Sequence, residues 1–390
     1  MLSKYIKFEN FKYKINKKKY NYLNREVKLN NLLSKYPFLE SLKKNYKYSY
    51  NKKDLKKFKK FSEYNILGMG GSILGAETIY TFLKTKIKKK FFFFNNLINN
   101  IDERAKVKKL NLIISKSGNT LETFSNLNLI LSKQKKNKNI IITENKTNIL
   151  NNLAKKLKFD IIEHKNFIGG RYSVLSEVGM LPAELMGLSE KKFKRFNDLM
   201  KNETFLKLLI KNVISIHDHI IAGRKNSVIL NYDEKSDNLF RWYQQLIAES
   251  LGKKGKGLFP IISSMPKDNH SLLQLYLDGP KNNFFTFFKV EQDNSFKYNN
   301  NFLIDDFKNL RNKSTQDILN AQKIATEIVF KKKNIPFRSF NVIKRNEEVL
   351  GELFCFFILE NLLLSKLLKV NPINQPAVEL IKIQTKKNLE

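Results

Sequence analysis

The sequence predicts an α/β protein: two α/β/α sandwich subdomains with mainly parallel sheets, plus helical N- and C-terminal extensions. Three observations predict it. From residue 61 onward, short apolar runs alternate with segments of helical period, a spacing that implies crossover connections and a parallel sheet with helices on both faces. A second strand-rich series follows after a mainly helical stretch over residues 173–223. The chain has 390 residues and is 42% hydrophobic, enough for two domains with a large core and far from a disordered composition.

Residues 1–60 are lysine-rich with scattered aromatics and read as short helices on the outside of the body. In the first subdomain, taken as 61–188, residues 64–67, 90–94, 110–115, 140–143 and 160–163 read as buried strands. Residues 73–84, 120–132 and 147–157 read as the helices between them, and Pro182 as a kink or boundary further on. The second subdomain, 189–368, offers strands at 227–231, 258–263, 284–290 and 337–343. Its helices fall at 239–251, 270–277, 315–329 and 346–368. Residues 291–313 are polar and asparagine-rich, an exposed connection. The tail, 369–390, carries no strong period.

The formal net charge is +36, from 72 Lys and Arg against 36 Asp and Glu. Lysine, asparagine, isoleucine and phenylalanine are inflated together and the lysines are scattered, so the charge reads as compositional bias. A nucleic-acid footprint would gather on one face, so no specific nucleic-acid partner is expected. The longest apolar run, 353–364, is broken by Glu360 and Asn361 and is too short to span a bilayer, so no membrane role is expected. The single cysteine, Cys355, sits in that run and reads as a buried small hydrophobe. One cysteine and an N-terminal segment without an apolar core lead to a cytoplasmic expectation.

Six places are candidates for chemistry. Glu249 is one carboxylate in an apolar-and-amide run that includes Gln245; desolvation would suit it to abstract carbon-bound protons. His270, one of only four histidines, could exchange protons with sugar oxygens. Ser115-Lys116-Ser117-Gly118-Asn119-Thr120-Leu121-Glu122-Thr123 follows an apolar strand and opens a helix, where hydroxyls, backbone N–H groups and the helix dipole favour an anion. A merely well-capped helix is the alternative, and Asn119 and Glu122 do have capping-box spacing, but four hydroxyls and a lysine exceed what a cap needs.

The fourth place, Gly68-Met69-Gly70-Gly71-Ser72, allows close approach of a ligand. A dinucleotide is disfavoured because Ile73 stands where the third glycine belongs and no acid follows at ribose distance. The fifth, Gly169-Gly170-Arg171-Tyr172-Ser173, could present a guanidinium to an oxyanion, although composition alone favours a surface arginine. Asn374-Gln375-Pro376-Ala377-Val378-Glu379-Leu380-Ile381-Lys382 reads in isolation as a helix start with proline near its first position. His217 and His219 are two apart, and His164 follows a strand near Gly169, so no metal site is suggested.

Together, these runs resemble the bacterial-type glucose-6-phosphate isomerase (phosphoglucose isomerase) family, over about residues 60–385 and in the expected order. The resemblance implies the sugar isomerase (SIS) domain fold, which is flavodoxin-like. It implies that Gly71 and Ser72 line the sugar phosphate, and that Ser115, Lys116, Ser117, Thr120 and Thr123 hold it. Arg171 would stabilise a cis-enediolate, His270 and Lys382 would open the sugar ring, and Glu249 would move the proton between C2 and C1. Gln245 would orient the sugar or Glu249. No metal or redox cofactor is needed, because proton transfers suffice. The expected reaction is reversible conversion of D-glucose 6-phosphate to D-fructose 6-phosphate, in glycolysis and gluconeogenesis. The expected assembly is a homodimer in which His270 is donated across the interface. The rival readings are a bifunctional glucose/mannose-6-phosphate isomerase and a non-catalytic phosphosugar-binding regulator. Ile381 departs from the family, which commonly has glycine there.

Overall fold

The structure is a computed structural model that describes residues 2–11, 16–99, 107–134, 136–291 and 295–390. A short strand, β1 (Ile6–Glu9), comes first. The first sheet follows with β2 (Glu63–Leu67), β3 (Lys90–Phe94), β4 (Leu110–Ile114), β5 (Lys138–Thr143) and β6 (Asp160–Glu163). The second adds β7 (Asn226–Asn231), β8 (Phe259–Ser264), β9 (Asn283–Val290) and β10 (Phe337–Val342). The orders are β3-β2-β4-β5-β6 and β1-β10-β9-β7-β8. Every pairing is parallel except β1 with β10.

The strands form around short clusters of apolar, largely β-branched or aromatic residues, and β4 is buried at every position, as a central parallel strand must be. Three buried asparagines interrupt this apolar logic at one register, Asn65 beside Asn111 beside Asn139. They satisfy one another: Asn65 Nδ2 donates to Asn111 Oδ1 at 2.8 Å, and Asn111 Nδ2 to Asn139 Oδ1 at 2.8 Å. A buried amide without such a partner would be strongly destabilising.

Leaving β1 aside, the two sheets share a connection pattern. The order β8-β7-β9-β10 repeats β3-β2-β4-β5, so each half is one α/β unit of the same winding. Helices Leu74–Phe82, Glu177–Leu185, Asp237–Leu251 and Glu347–Leu368 pack together between and around these units. The last is buried on nearly every residue, Cys355 included, and that burial pushes the Cys355 thiol well up. Its Glu360 is fully buried but not alone: it pairs with Arg338, accepts from Tyr243 Oη at 3.0 Å and takes Asn212 Nδ2 at 2.6 Å. Among the described residues no helix is long and apolar enough to cross a membrane.

Several expectations need correction. Residues 2–57 do carry helices at Lys17–Glu26 and Leu29–Lys35 and turns at Pro37–Leu42 and Asp54–Lys57, but β1 was not foreseen. Its sequence Ile-Lys-Phe-Glu alternates buried and exposed, the signature of an edge strand. The helix expected at 270–277 begins later. Lys267–His270 is a 3₁₀ turn and the helix runs Leu273–Asp278. The C-terminal extension is helical as expected, although its sequence carries no strong period: Glu379–Leu389 is a helix with every residue exposed. The expected connection at 291–313 lies partly outside the described residues, and its 295–313 portion contains turns at Asn300–Phe302 and Asp305–Leu310.

Candidate active site

In the first sheet the chain leaves β2 for β3 on one side, then crosses back to β4 on the other. Strand order therefore reverses between β2 and β4, and open α/β sheets take ligands at the carboxyl ends of such a pair. The two loops that leave there are 68–72 and 115–120. The first needs its glycines. Gly70 has φ +52°, and a Cβ there would stand 2.6 Å from Gln245 Nε2. A Cβ on Gly71 would stand 2.2 Å from the carbonyl carbon of Gly170. The two glycine turns thus meet backbone to backbone, and Ser173 Oγ donates to the Gly71 carbonyl at 3.3 Å.

The second loop gathers its hydroxyls. Ser115 Oγ lies 2.8 Å from Thr120 Oγ1 and accepts from Gly118 N at 3.2 Å. Ser117 Oγ accepts from Asn119 N at 3.3 Å. The anticipated capping box does not form. Asn119 Oδ1 instead accepts from Ile149 N at 3.0 Å, and helix Leu121–Lys133 starts after Thr120, whose side chain makes no cap bond. Thr123 is buried with its hydroxyl oxygen unpartnered within the chain. Lys116 Nζ donates to the Asn166 carbonyl at 2.8 Å and lies 3.5 Å from Glu144. Hydroxyls gathered at a helix N-terminus can receive an anion. Behind them His164 is buried, and burial first, with the Lys116 charge adding to it, holds its imidazole down to about 4 and so neutral.

The reactive geometry lies where the glycine turn 169–173 meets helix Asp237–Leu251. Gln245 and Glu249 are one turn apart on that helix and share a face. Gln245 Nε2 donates to Glu249 Oε1 at 2.8 Å, and Arg171 Nη1 donates to Glu249 Oε2 at 2.8 Å. The Arg171 side chain is 3% exposed against 35% for Glu249, so the guanidinium is fixed while the carboxylate faces open space. That space is a cavity of about 520 Å³ lined by Glu249, Lys253, Asn371, Asn374, Gln375 and Val378 among others. The second Arg171 nitrogen donates to Gln375 Oε1 at 2.6 Å and to the carbonyls of Ile373 and Asn374. Partial burial, then the neighbouring Arg171 charge, hold Lys253 down to about 8 against the pull of Glu249.

Within one chain the structure thus brings together Glu249, Arg171 and Gln245, with the Gly70–Gly71 turn against them. His270 and Lys382 do not line this cavity. His270 is exposed at the end of its turn, and Lys382 Nζ pairs with Glu379 Oε1 at 2.8 Å on the exposed tail helix. Gln375 and Lys253 are the members that sequence reasoning gave no role. Gln375 stood inside a quoted motif; Lys253 had no local signal, because only the fold brings residues 370–375 beside it.

This architecture is that of the phosphosugar isomerases. Over 95% of this chain and 94% of the other, it matches a hypothetical protein of Thermus thermophilus with a TM-score of 0.78 at 21% identity. A glucose-6-phosphate isomerase of Chlamydia trachomatis matches 86% of this chain and 72% of its own length, with a TM-score of 0.72 at 18% identity. In sequence, the glucose-6-phosphate isomerase of Methanocaldococcus jannaschii is 34% identical, covering 84% of each chain. The family profile described as Phosphoglucose isomerase matches residues 49–259, and the chain belongs to that family.

Proposed function

We propose that this protein interconverts D-glucose 6-phosphate and D-fructose 6-phosphate through a cis-enediolate. The observation that carries the reading is Glu249, held at 2.8 Å by Arg171 on one oxygen and by Gln245 on the other, at the mouth of an open cavity. Such a carboxylate is oriented for proton transfer at carbon, and the fixed guanidinium beside it is placed to take developing negative charge on oxygen. Ser115, Lys116, Ser117, Thr120 and Thr123, with Gly71 and Ser72, would hold the phosphate at the carboxyl ends of β2 and β4. His270 and Lys382 would act in ring opening. His270 would come from a second copy in a homodimer, and Lys382 would arrive once the tail helix, with Leu380, Ile381 and Ile383 all exposed, finds a surface to bury. The same reading divides the chain into an N-terminal extension to residue 60, subdomains 61–188 and 189–368, and a tail 369–390.

The test is a coupled assay of fructose 6-phosphate conversion to glucose 6-phosphate, with Glu249→Gln alongside. The amide oxygen can still accept from Arg171, and the NH2 can donate to Gln245 Oε1 once that amide rotates, so the fold should survive while turnover falls by about 10²–10⁴-fold. A folded Glu249→Gln protein with full turnover would remove Glu249 as the base. A wild-type dimer inert toward both hexose phosphates would remove the reaction.

A further inference from the structure

Residues 369–375 connect helix Glu347–Leu368 to the turn Pro376–Val378 without regular structure of their own. Backbone carbonyls in such a segment are not paired within it and turn to water or to other elements. Here the partners come from the active-site turn and from the loop that follows the Glu249 helix. Tyr172 Oη donates to the Pro372 carbonyl at 2.9 Å, and Arg171 to those of Ile373 and Asn374. Lys253 Nζ donates to the Asn371 carbonyl, and Lys256 Nζ reaches the Leu368 carbonyl at 3.0 Å. The segment ends in Gln375, whose Oε1 accepts from Arg171 at 2.6 Å. Of these clasps, Lys253 alone is a half-buried cation lining the same cavity as Glu249.

We infer that Lys253 is a positioning residue of this site: its ammonium, bonded to the Asn371 carbonyl, ties the 370–375 strap to the end of the Glu249 helix and thereby holds Gln375 against Arg171. The inference rests on the isomerase reading for its kinetic consequence and on geometry alone for the clasp. The charged groups facing the ammonium are Arg171 from the glycine turn, Glu249 from the helix, and Lys254 beside it in the cavity wall. With Lys253 held down to about 8, its charge fades as pH rises past that value, and the clasp weakens with it. Arginine at the same place would keep its proton throughout.

The experiment compares wild type, Lys253→Met and Lys253→Arg in the full chain. Hydrogen exchange is followed in peptides covering 370–378, and fructose 6-phosphate turnover is followed from pH 6.5 to 9.5. Lys253→Met should speed exchange in that segment by about tenfold or more, since a local opening becomes easier. It should also lower kcat by about 10- to 100-fold, because small misplacements at a reacting centre are that harmful. Lys253→Arg should retain turnover and lose the alkaline limb near pH 8. Unchanged exchange in the Met variant overturns the clasp, and does so even if the wild type turns over no hexose phosphate, a result that would defeat only the isomerase reading. An active wild type whose Met variant keeps kcat, or whose Arg variant keeps the same alkaline limb, overturns the positioning role.

Discussion

Replacing Arg171 by methionine removes the guanidinium while keeping most of its aliphatic bulk. Four acceptors lose their donor: Glu249 Oε2, Gln375 Oε1 and the carbonyls of Ile373 and Asn374. Two effects then separate in size. On the proposed mechanism, the barrier to the enediolate would lose a fixed charge aimed at the developing oxyanion, worth about 10²–10³ in kcat, or roughly 3–4 kcal/mol. Stability loses less. A fully buried pair would leave an uncompensated charge at about 3–5 kcal/mol, but Glu249 is 35% exposed and its carboxylate can regain water. The strap carbonyls can do the same. The stability loss therefore belongs nearer the surface end, about 1–2 kcal/mol, which for a chain of this size moves the melting midpoint by only about 1–3 °C. Steady-state kinetics with fructose 6-phosphate, beside a thermal melt, read both numbers. Because the charge appears only along the reaction, kcat and kcat/KM should fall together with KM nearly unchanged. A raised KM with full kcat would mean that Arg171 merely binds ground-state substrate, and the reasoning would fail.

Gly71→Ala places a methyl 2.2 Å from the Gly170 carbonyl carbon, so one of the two glycine turns must shift. A loss of about 2–4 kcal/mol and of most turnover is expected by chemical denaturation and the same assay, and a variant of wild-type stability would show that the turns have room to part. His164 is neutral in the folded chain down to about pH 4, whereas the unfolded imidazole takes its proton near 6.5. The unfolded state therefore binds more protons between those values, and stability should fall as pH drops from 6.5 toward 4. His164→Gln should lose that share of the acid sensitivity in urea melts at pH 7 and pH 4.5; an identical acid decrement in both proteins would contradict a buried neutral imidazole.

The elements that announced themselves did so by continuous burial. β4 and β5 are built around the apolar runs Leu112–Ile114 and Ile140–Ile142, and helix Glu347–Leu368 is too long and too apolar to be anything but a core helix. β1 was hidden because four residues among lysines give little periodic signal, and its partner β10 lies at the far end of the sequence. The glycine turns were legible because each motif concentrates residues that other contexts avoid, and the structure shows the reason: a Cβ on Gly71 would stand only 2.2 Å from the Gly170 carbonyl carbon. Gln245 and Glu249 could be read as a pair because helical spacing alone sets them on one face. Lys253 could not, since its neighbours Arg171 and Asn371 are far away along the chain and only the fold makes them adjacent. Lys382 was named from motif likeness, and His270 from its rarity as well as that likeness; within a single chain both side chains lie outside the Glu249 cavity.

The pairing of Ile6 with Val342 has a consequence for biosynthesis. Strands β2 to β6 occupy one uninterrupted stretch and can assemble as soon as Glu163 has cleared the ribosome. β1 emerges before any of them yet waits for β10, which at ~5–20 residues per second arrives on the order of 20–60 s later. Throughout that interval Ile6 and Phe8, both destined for the core, travel in a nascent chain whose second half does not yet exist. β1, made before β2 to β10, is therefore among the last of these strands to be placed, and its apolar residues stay without their partners while translation continues.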